Sequence, residues 1–477
     1  MEEQVDVVVV GAGPVGLLTA IELTLGGARV LVLEHLAAAE ARSFEAIKKF
    51  TDRNGPDVRG KGSKFIGHFA GLALIRKDAQ REPERRSHPV DQQAIEAMLA
   101  DRALSLGIEV RRECDVTGFV QQVDGVDVKW ASPAGDGHIR CLYLVGCDGG
   151  RSSIRKMAGF DFPGTPPTST FYQAIAEIDH PERLSPGWHR TAGGMFSYGP
   201  LPGRLVMLDF IGPPSDRQAP VTREEIEAAL RRISGADVRV KALESGSRWT
   251  DNTRLVDTYR RGRVLLAGDA AHVHTPFGGQ GLSLGLVDAQ NLGWKLATVI
   301  RGEMSESLLD TYTAERRPVA EAALANCLAQ MASMRPDPQS GAMRDLVASL
   351  MQLDDVNRLI GERMSGLGTR YDLGSEWDDV GRLIGNRPIG RDPTGSGDAV
   401  VSLYDLMQDG MGVLLDASPE RTASRLVTAG TQRIRCAAVD TGPSMLIRPD
   451  ACIAWAGEEN STDGLAEALR RWFVPGA

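Results

Sequence analysis

A nearly unbroken apolar run, Val5–Val10, opens the chain. A run of this kind reads as a strand buried on both faces, as in the interior of a parallel sheet. Pro14–Gly26 follows as a helix closed by Gly26-Gly27, and Arg29–Glu34 is a second apolar strand. Strand, helix and strand in this order predict a βαβ unit, hence an α/β fold with a parallel, doubly wound sheet. Periodicity is poor over residues 40–90, where loops and one or two short strands are expected. Gln92–Leu106 predicts a helix. Glu109–Gly118 and Val126–Trp130 predict strands joined by a turn at Asp124-Gly125, and Cys141–Cys147 is another buried strand.

The pattern changes over residues 165–255. Pro and Gly punctuate short alternating strands, Gly194–Tyr198 and Arg204–Ile211, with one helix at Thr222–Ile233. An antiparallel sheet inserted between two halves of the first domain fits this pattern. The buried-strand pattern returns at Arg263–Ala267. Helices dominate from Gly281 to about Ser365, with a break or kink expected at Pro318. Thr369–Ala399 is rich in Gly, Asp and Pro and reads as a linker, and from Ser402 a small α/β module follows. The expected division is 1–164 for the first part of a nucleotide-binding domain and 165–255 for the inserted sheet. Residues 256–378 complete the first domain with its helices, 379–400 form the linker and 401–477 the terminal module.

Composition narrows the class. The 477 residues are enough for about two or three domains, and 42% hydrophobic with 25% charged residues is ordinary globular usage. A net charge of −9 argues against nucleic acid or an anionic membrane as partner. The six Cys lie without Cys-x-x-Cys or metal-ligand spacing, so buried thiols in a reducing compartment are expected, with no metal site. His272 and His274 stand too close together for a helical metal pair. The start MEEQVDVVVVGAG carries acidic residues where a signal peptide needs basic ones, and no run approaches the ~20 apolar residues of a membrane span. These features predict a cytoplasmic protein, monomer or homodimer.

Chemistry is carried by three motifs. Gly11-Ala12-Gly13-Pro14-Val15-Gly16 follows the first strand and opens the first helix. Gly11 suits a tight turn, Gly13 the close approach of a pyrophosphate, and Gly16 the packing of helix on strand, while the helix N-terminus favours an anion. Glu34 ends the second strand, where a carboxylate accepts from an adenosine ribose and disfavours a 2′-phosphate. The second motif, Cys147-Asp148-Gly149-Gly150-Arg151-Ser152-Ser153-Ile154-Arg155, ends a buried strand. Asp148 reads either as a ligand-binding residue at the strand's C-terminal end or as a turn residue before a helix capped by Ser152. The third lies in GRVLLAGDAAHVHTPFGGQGLSLGLVDAQNLGWKL, residues 262–296. Here Asp269 is placed to bind ribityl hydroxyls. Gly278-Gly279-Gln280-Gly281 brings backbone N–H groups and a helix N-terminus to a ring system, or simply caps that helix.

Together, in this order, the motifs resemble the para-hydroxybenzoate-hydroxylase-like flavoprotein monooxygenases, and more narrowly the aromatic polyketide hydroxylases. The tail LIRPDACIAWAG…DGLAEALRRWF is similar to their C-terminal thioredoxin-like domain. The resemblance implies a Rossmann-like FAD-binding domain, an inserted antiparallel substrate domain and a thioredoxin-like domain, here without Cys-x-x-Cys. It implies FAD bound through Gly11, Gly13, Pro14, Gly16, Glu34 and His35 on the ADP side. Gln92, Val116, Asp148, Asp269, Pro276, Gly279, Gln280, Gly281 and Leu282 complete the cofactor set, and Arg42 stands for the Arg of a shortened loop. His35 replaces the family's common Arg, Ser283 its usual Asn, and Ala41-Arg42-Ser43-Phe44-Glu45 its usual Arg-containing loop.

The implied reaction is hydroxylation of a polycyclic aromatic, polyketide-type substrate through a flavin C4a-hydroperoxide, with NADPH or NADH as reductant and O₂ as oxidant. The cofactor is then the reactive centre, so no catalytic side chain is named, and His272 and His274 read as structural. Met195, Phe196, Tyr198 and Phe277 are the candidate substrate lining. The same motifs also suit modification of a finished antibiotic, Baeyer–Villiger insertion, or a flavin-binding scaffold without turnover.

Overall fold

The computed structural model describes residues 3–37, 65–83, 85, 90, 92–199, 203–216, 219–391, 400–418, 420–428, 431, 433–458 and 461–474. Five parallel strands form the heart of the first domain, in the order Val264–Leu266, Gly135–Gly146, Glu3–Val10, Val30–Leu33 and Glu109–Arg111. Val7, Val8 and Val9 are fully buried between the helical layers, as the continuous apolar run requires. Their register matters for function. Val10 is level with Leu33 on one side and Gly146 on the other, and Gly146 is level with Leu266. The chain therefore leaves four adjacent strands along one edge, at Gly11, Glu34, Cys147 and Ala267.

Helix Pro14–Leu25 packs on helix Gly281–Ile300. A Cβ on Gly293 would lie 2.3 Å from the Glu22 Cβ, and one on Gly26 would lie 2.2 Å from the Ala297 Cβ. The two helices cross at these glycines, which holds the first and third motifs in one layer. No helix of the described residues is long and apolar enough to cross a membrane.

The inserted region forms a five-stranded antiparallel sheet in the order Gly187–Thr191, Gly194–Tyr198, Arg204–Asp209, Thr170–Ile178 and Val240–Thr250. One face is covered by helix Arg223–Ser234, whose Ile226, Leu230 and Ile233 are fully buried. Thr222 caps that helix by accepting the Glu225 N–H. The opposite face meets the hairpin Phe65–Phe69/Leu72–Arg76 and the helices that follow residue 310. The C-terminal module is a four-stranded sheet in the order Ile434–Ala438, Gly412–Asp416, Ser444–Ile447 and Ile453–Gly457, with helix Leu465–Phe473. Its first pair is parallel and the remainder antiparallel, a thioredoxin-like arrangement.

Four expectations are corrected. Glu109–Gly118 is not one strand. It divides at Glu113, whose φ is 55°, into Glu109–Arg111 on the parallel sheet and Asp115–Gln121, which pairs antiparallel with Val126–Ser132. Pro318 does not break its helix, which runs unbroken from Asp310 to Met334. Tyr312, Glu315, Arg316 and Ala320 are all buried around it, and their contacts outweigh the roughly 3 kcal/mol that an interior proline costs. The expected linker is packed as far as it is described. Tyr371 N–H donates to the Gly381 carbonyl and Gly381 N–H to that of Ile453, both at 2.8 Å, while Tyr371 and Val380 are buried. Residues 392–399 of that stretch lie outside the described residues. Finally, Cys436 is exposed, because its strand is the outermost of the C-terminal sheet.

Candidate functional site

The edge at which the parallel strands end gathers all three motifs. Gly11 has φ 104°, and a Cβ there would sit 2.5 Å from the Cys147 carbonyl oxygen. One on Gly16 would sit 1.9 Å from the Gly11 carbonyl oxygen. Both glycines are forced by backbone packing. Gly13 differs, since a Cβ on it would meet nothing within 4 Å. Open space over an N-cap glycine, with Pro14 at the first helical position, is the cradle a pyrophosphate would fill.

Beside it, the Glu34 carboxylate accepts the Ala12 N–H and, at 2.8 Å, the Leu36 N–H. It is thus fixed between the glycine loop and the next strand. The Cys114 N–H donates to the Glu34 carbonyl at 2.9 Å, which brings Val116 to the same side. Val116 lies half-buried, opposite Trp130. The His35 ring turns outward to Asp115, 2.7 Å away in an exposed pair. Gln92 opens its helix as expected but is exposed and donates to Glu96 at 2.9 Å. Its helix packs on Pro14–Leu25, and no contact of the Gln92 side chain with the cradle is seen among the described residues. Arg42 lies outside the described residues.

Asp148 takes up the second of the readings open from sequence, a turn residue before a capped helix. Its carboxylate accepts the N–H groups of Ser153 and Ile154 at 2.7 and 3.1 Å and the Ser153 hydroxyl at 3.0 Å. Ser152 caps the same short helix, Ser153–Met157, through the Arg155 N–H. The side chain therefore shapes the turn. A Cβ on Gly149 would meet nothing within 4 Å, so the turn itself is open.

Asp269 sits in the turn Gly268–Ala270, exposed, and accepts no side-chain hydrogen bond among the described residues. Helix Gly281–Ile300 begins close by. A Cβ on Gly285 would lie 2.7 Å from a Val15 methyl and 3.2 Å from the Gly268 Cα, so the first and third motifs touch directly. The first N–H groups of that helix have no intrahelical acceptor and carry its positive end. Gly279 has φ 64° and again nothing within 4 Å of a Cβ. Gln280 offers only its backbone to this space. Its side-chain amide donates to the Arg363 carbonyl and accepts from Asn326 at 2.9 Å. Pro276 accepts the Gly279 N–H at 3.1 Å and so closes the loop, while Leu282 is half-buried in the first helical turn. A carboxylate free for a polyol, open glycine turns for a pyrophosphate and a ring, and a helix N-terminus fit FAD.

The substrate candidates divide. Strand residues alternate faces. Met195 points into a cluster with Phe277, Phe171, Leu208, Met331 and Met334. Phe277 stands edge-on to Phe171 at 5.0 Å, and Phe171 stacks on Trp249 at 4.9 Å. Phe196 and Tyr198 point the other way, into the core under helix Arg223–Ser234. As substrate lining, Phe196 and Tyr198 are therefore corrected: they are one residue out of phase with the face that meets Phe277.

Arg155, Asp288 and Glu315 escaped the sequence reading, beside the two histidines that it names as structural. Arg155 staples two turns together, donating to the Gly150 carbonyl at 3.0 Å and the Ala270 carbonyl at 2.9 Å, with its guanidinium 3.9 Å over the Phe162 ring. His272 is fully buried and bonded through Nε2 to Asp288 at 2.7 Å. Burial, partly offset by the Thr275 carbonyl, lowers the pKa of His274, whose Nδ1 donates to that carbonyl at 2.7 Å. Farther back, Glu315 bonds Arg448 at 2.7 and 2.8 Å and Lys295 at 2.8 Å, joining the first domain to the C-terminal module. The signal for these lay in helix Gly281–Ile300. Asp288, Asn291 and Lys295, spaced three and four apart, interrupt an otherwise apolar face.

Residues 4–327 match the FAD binding domain family, and residues 381–475 match the family described as aromatic-ring hydroxylase, C-terminal. The chain is 39% identical to 12-dehydrotetracycline 5-monooxygenase/anhydrotetracycline 6-monooxygenase of Streptomyces rimosus, covering 99% of each protein. It is 35% identical to a dialkyldecalin synthase of Streptomyces rugosporus, again over 99% of each. Among solved structures, CabE, an aromatic hydroxylase from angucycline biosynthesis, superposes with a TM-score of 0.86 at 33% identity, covering 99% of this chain and 100% of that one.

Proposed function

The chain belongs to the FAD-dependent aromatic-ring hydroxylases, and from that premise we propose that it hydroxylates a polycyclic aromatic substrate of polyketide type. The enzyme is an FAD-dependent monooxygenase. One observation carries the site reading: three turns at the ends of adjacent parallel strands converge beside the N-terminus of helix Gly281–Ile300, with open space over Gly13 and Gly279.

When bound, FAD supplies the redox chemistry that couples a reduced nicotinamide and O₂ to oxygen transfer onto an electron-rich ring. The chain supplies placement. The Gly11–Gly16 loop would hold the pyrophosphate, Glu34 the adenosine ribose and Asp269 the ribityl hydroxyls. The amides from Gly279 to Leu282, at a helix N-terminus, favour negative charge on the adjoining ring. Phe277, Phe171, Trp249 and Met195 pack in one buried apolar cluster, and a flat aromatic substrate would be met on the cluster's aromatic side. Flat polycyclic substrates suit such a face, and the Streptomyces rimosus relative is named for one.

The net charge of −9 disfavours a polyanionic partner such as nucleic acid. The decisive experiment mixes the purified yellow protein with NADH or NADPH and a panel of polycyclic phenols. Stimulated nicotinamide oxidation with a product one oxygen heavier is expected. A second reading, FAD as a structural element in a non-oxidative synthase, is favoured by the dialkyldecalin synthase relative. Retained FAD with no nicotinamide oxidation and a product of unchanged mass would establish that reading instead.

A further inference from the structure

Behind the Gly268–Asp269 turn lies a buried charge pair that no step above uses. Asp288, on helix Gly281–Ile300, has no exposed surface. One of its oxygens accepts the Gly268 N–H at 3.1 Å and the His272 Nε2–H at 2.7 Å. The other accepts from Arg316 Nε at 2.7 Å. Arg316, 1% exposed, also donates to the Leu284 carbonyl at 3.0 Å and the Tyr371 hydroxyl at 3.1 Å.

Stability alone explains such a pair poorly, because a buried ion pair is often no better than apolar residues of the same volume. Geometry explains it better. Gly268 has φ 61°, which glycine adopts readily, but it is buried and its N–H needs an acceptor. Asp288 is that acceptor. It lies seven residues, about two turns, into the helix whose N-terminus closes the cradle. The bond from Gly268 to Asp288 therefore fixes Asp269 relative to Gly279–Leu282. Arg316 fixes the helix side of this relation, holding the Asp288 carboxylate with one nitrogen and the first turn of the same helix, at Leu284, with another.

We propose that Asp288 and Arg316 are positioning residues for the cofactor, setting the spacing between the Asp269 carboxylate and the helix N-terminus that FAD must bridge. This rests on the reading of Asp269 as a ribityl ligand. The test measures FAD dissociation constants and the visible circular dichroism of bound flavin in the full chain, with melting of each apoprotein as the measure of folding.

Asp288→Asn keeps the shape and removes the charge. We expect FAD binding at least tenfold weaker and an altered flavin dichroism. Arg316→Lys keeps the charge but not the forked pair of bonds to Asp288 and Leu284, so it should bind FAD measurably more weakly than the wild type and more tightly than Asp288→Asn. The double replacement Asp288→Leu with Arg316→Met refills the volume with apolar atoms. It should melt near the wild type yet still bind FAD at least tenfold more weakly, and it decides the matter if Asp288→Asn does not fold. If the double variant also fails to fold, Arg316→Lys decides on the same readouts by a measurable weakening. Folded variants with wild-type FAD affinity and dichroism would overturn the proposal. Asp269→Ala separates the two claims. Wild-type affinity in Asp269→Ala overturns the ribityl reading itself, whereas weak binding there with wild-type binding in the Asp288 and Arg316 variants overturns the positioning role alone.

Discussion

Replacing Gly13 by Ala should leave the apoprotein almost unchanged and yet cripple FAD binding. Gly13 has φ −70° and ψ 178°, a conformation open to any L-residue, and a Cβ there meets nothing within 4 Å. Removing glycine from the unfolded chain stabilises by about 0.4–1 kcal/mol. Alanine is a poorer N-cap than glycine by a comparable amount. The two offset, so apoprotein stability should stay within about 1 kcal/mol of the wild type. The methyl group, however, occupies the space in which a pyrophosphate reaches the backbone N–H groups. Losing one charge-assisted hydrogen bond costs about 1.5–3 kcal/mol, or roughly 10- to 150-fold in Kd. Gly16→Ala is the contrasting control. Its Cβ would lie 1.9 Å from the Gly11 carbonyl oxygen, backbone against backbone, and the apoprotein itself should lose about 1–3 kcal/mol or more. Thermal melting of the two apoproteins and FAD titration by fluorescence read both effects. Wild-type FAD affinity in Gly13→Ala would mean that no pyrophosphate lies on this loop. An apoprotein as unstable as Gly16→Ala would refute the open-cradle geometry.

Met195→Ala should change the Michaelis constant for the aromatic substrate and the fraction of nicotinamide oxidation that yields product, whereas Phe196→Ala should cost about 3–5 kcal/mol of stability with unchanged selectivity. Equal effects on selectivity would contradict the assignment of the two faces. Arg448→Met leaves Glu315 and Asp450 buried without their shared cation, which should cost about 3–5 kcal/mol in denaturant melts. Adding Asp450→Asn should restore part of that loss, since Glu315 keeps Lys295 while Asp450 has lost its cation, and no restoration would argue against a direct pair. Burial, reinforced by Asp450 and eased by Arg433, raises the Glu22 carboxyl from 4.5 to about 7. The fold thus favours its neutral form, and stability drains away as pH rises between those values. The melting advantage of Glu22→Gln over the wild type should therefore grow from about pH 5 to about pH 8, and a constant difference would exclude the effect.

The first βαβ unit, the inserted sheet and the C-terminal strands were legible because each buries its apolar residues with the period of its secondary structure. The misses have local causes. The stretch from Glu109 to Gly118 reads as one apolar pattern, but a single left-handed residue at Glu113 divides it between two partners. Pro318 looks like a helix breaker until Arg316 and Tyr312 are seen anchored close before it, Arg316 to Asp288 and the Tyr312 hydroxyl to the Leu266 carbonyl at 2.8 Å. The segment from Thr369 lacks periodicity because its order comes from backbone bonds to Ile453 and from Tyr371 seated on Arg316. Long-range partners of this kind leave no mark in a local window.

The cofactor half of the site and the substrate half differ in legibility for a physical reason. A pyrophosphate or a ring carbonyl is bound by backbone N–H groups, and exposing backbone requires glycine at particular positions. Gly11 and Gly16 are irreplaceable through contacts under 3 Å, so the requirement is written into the sequence as a motif. An apolar substrate face would meet its ligand through dispersion and burial, and many apolar side chains satisfy that equally. Met195 and Phe196 are both apolar and enter opposite clusters, because only the phase of the strand separates them. Methionine adds to the degeneracy, since a flexible thioether adapts to several shapes. The face that holds Met195, Met331 and Met334 also carries Phe171, Phe277 and Trp249, so rigid aromatic walls alternate with deformable ones. Relatives named as a tetracycline-pathway monooxygenase and as a dialkyldecalin synthase align over nearly the whole of this chain, so the cofactor motifs alone do not name a substrate.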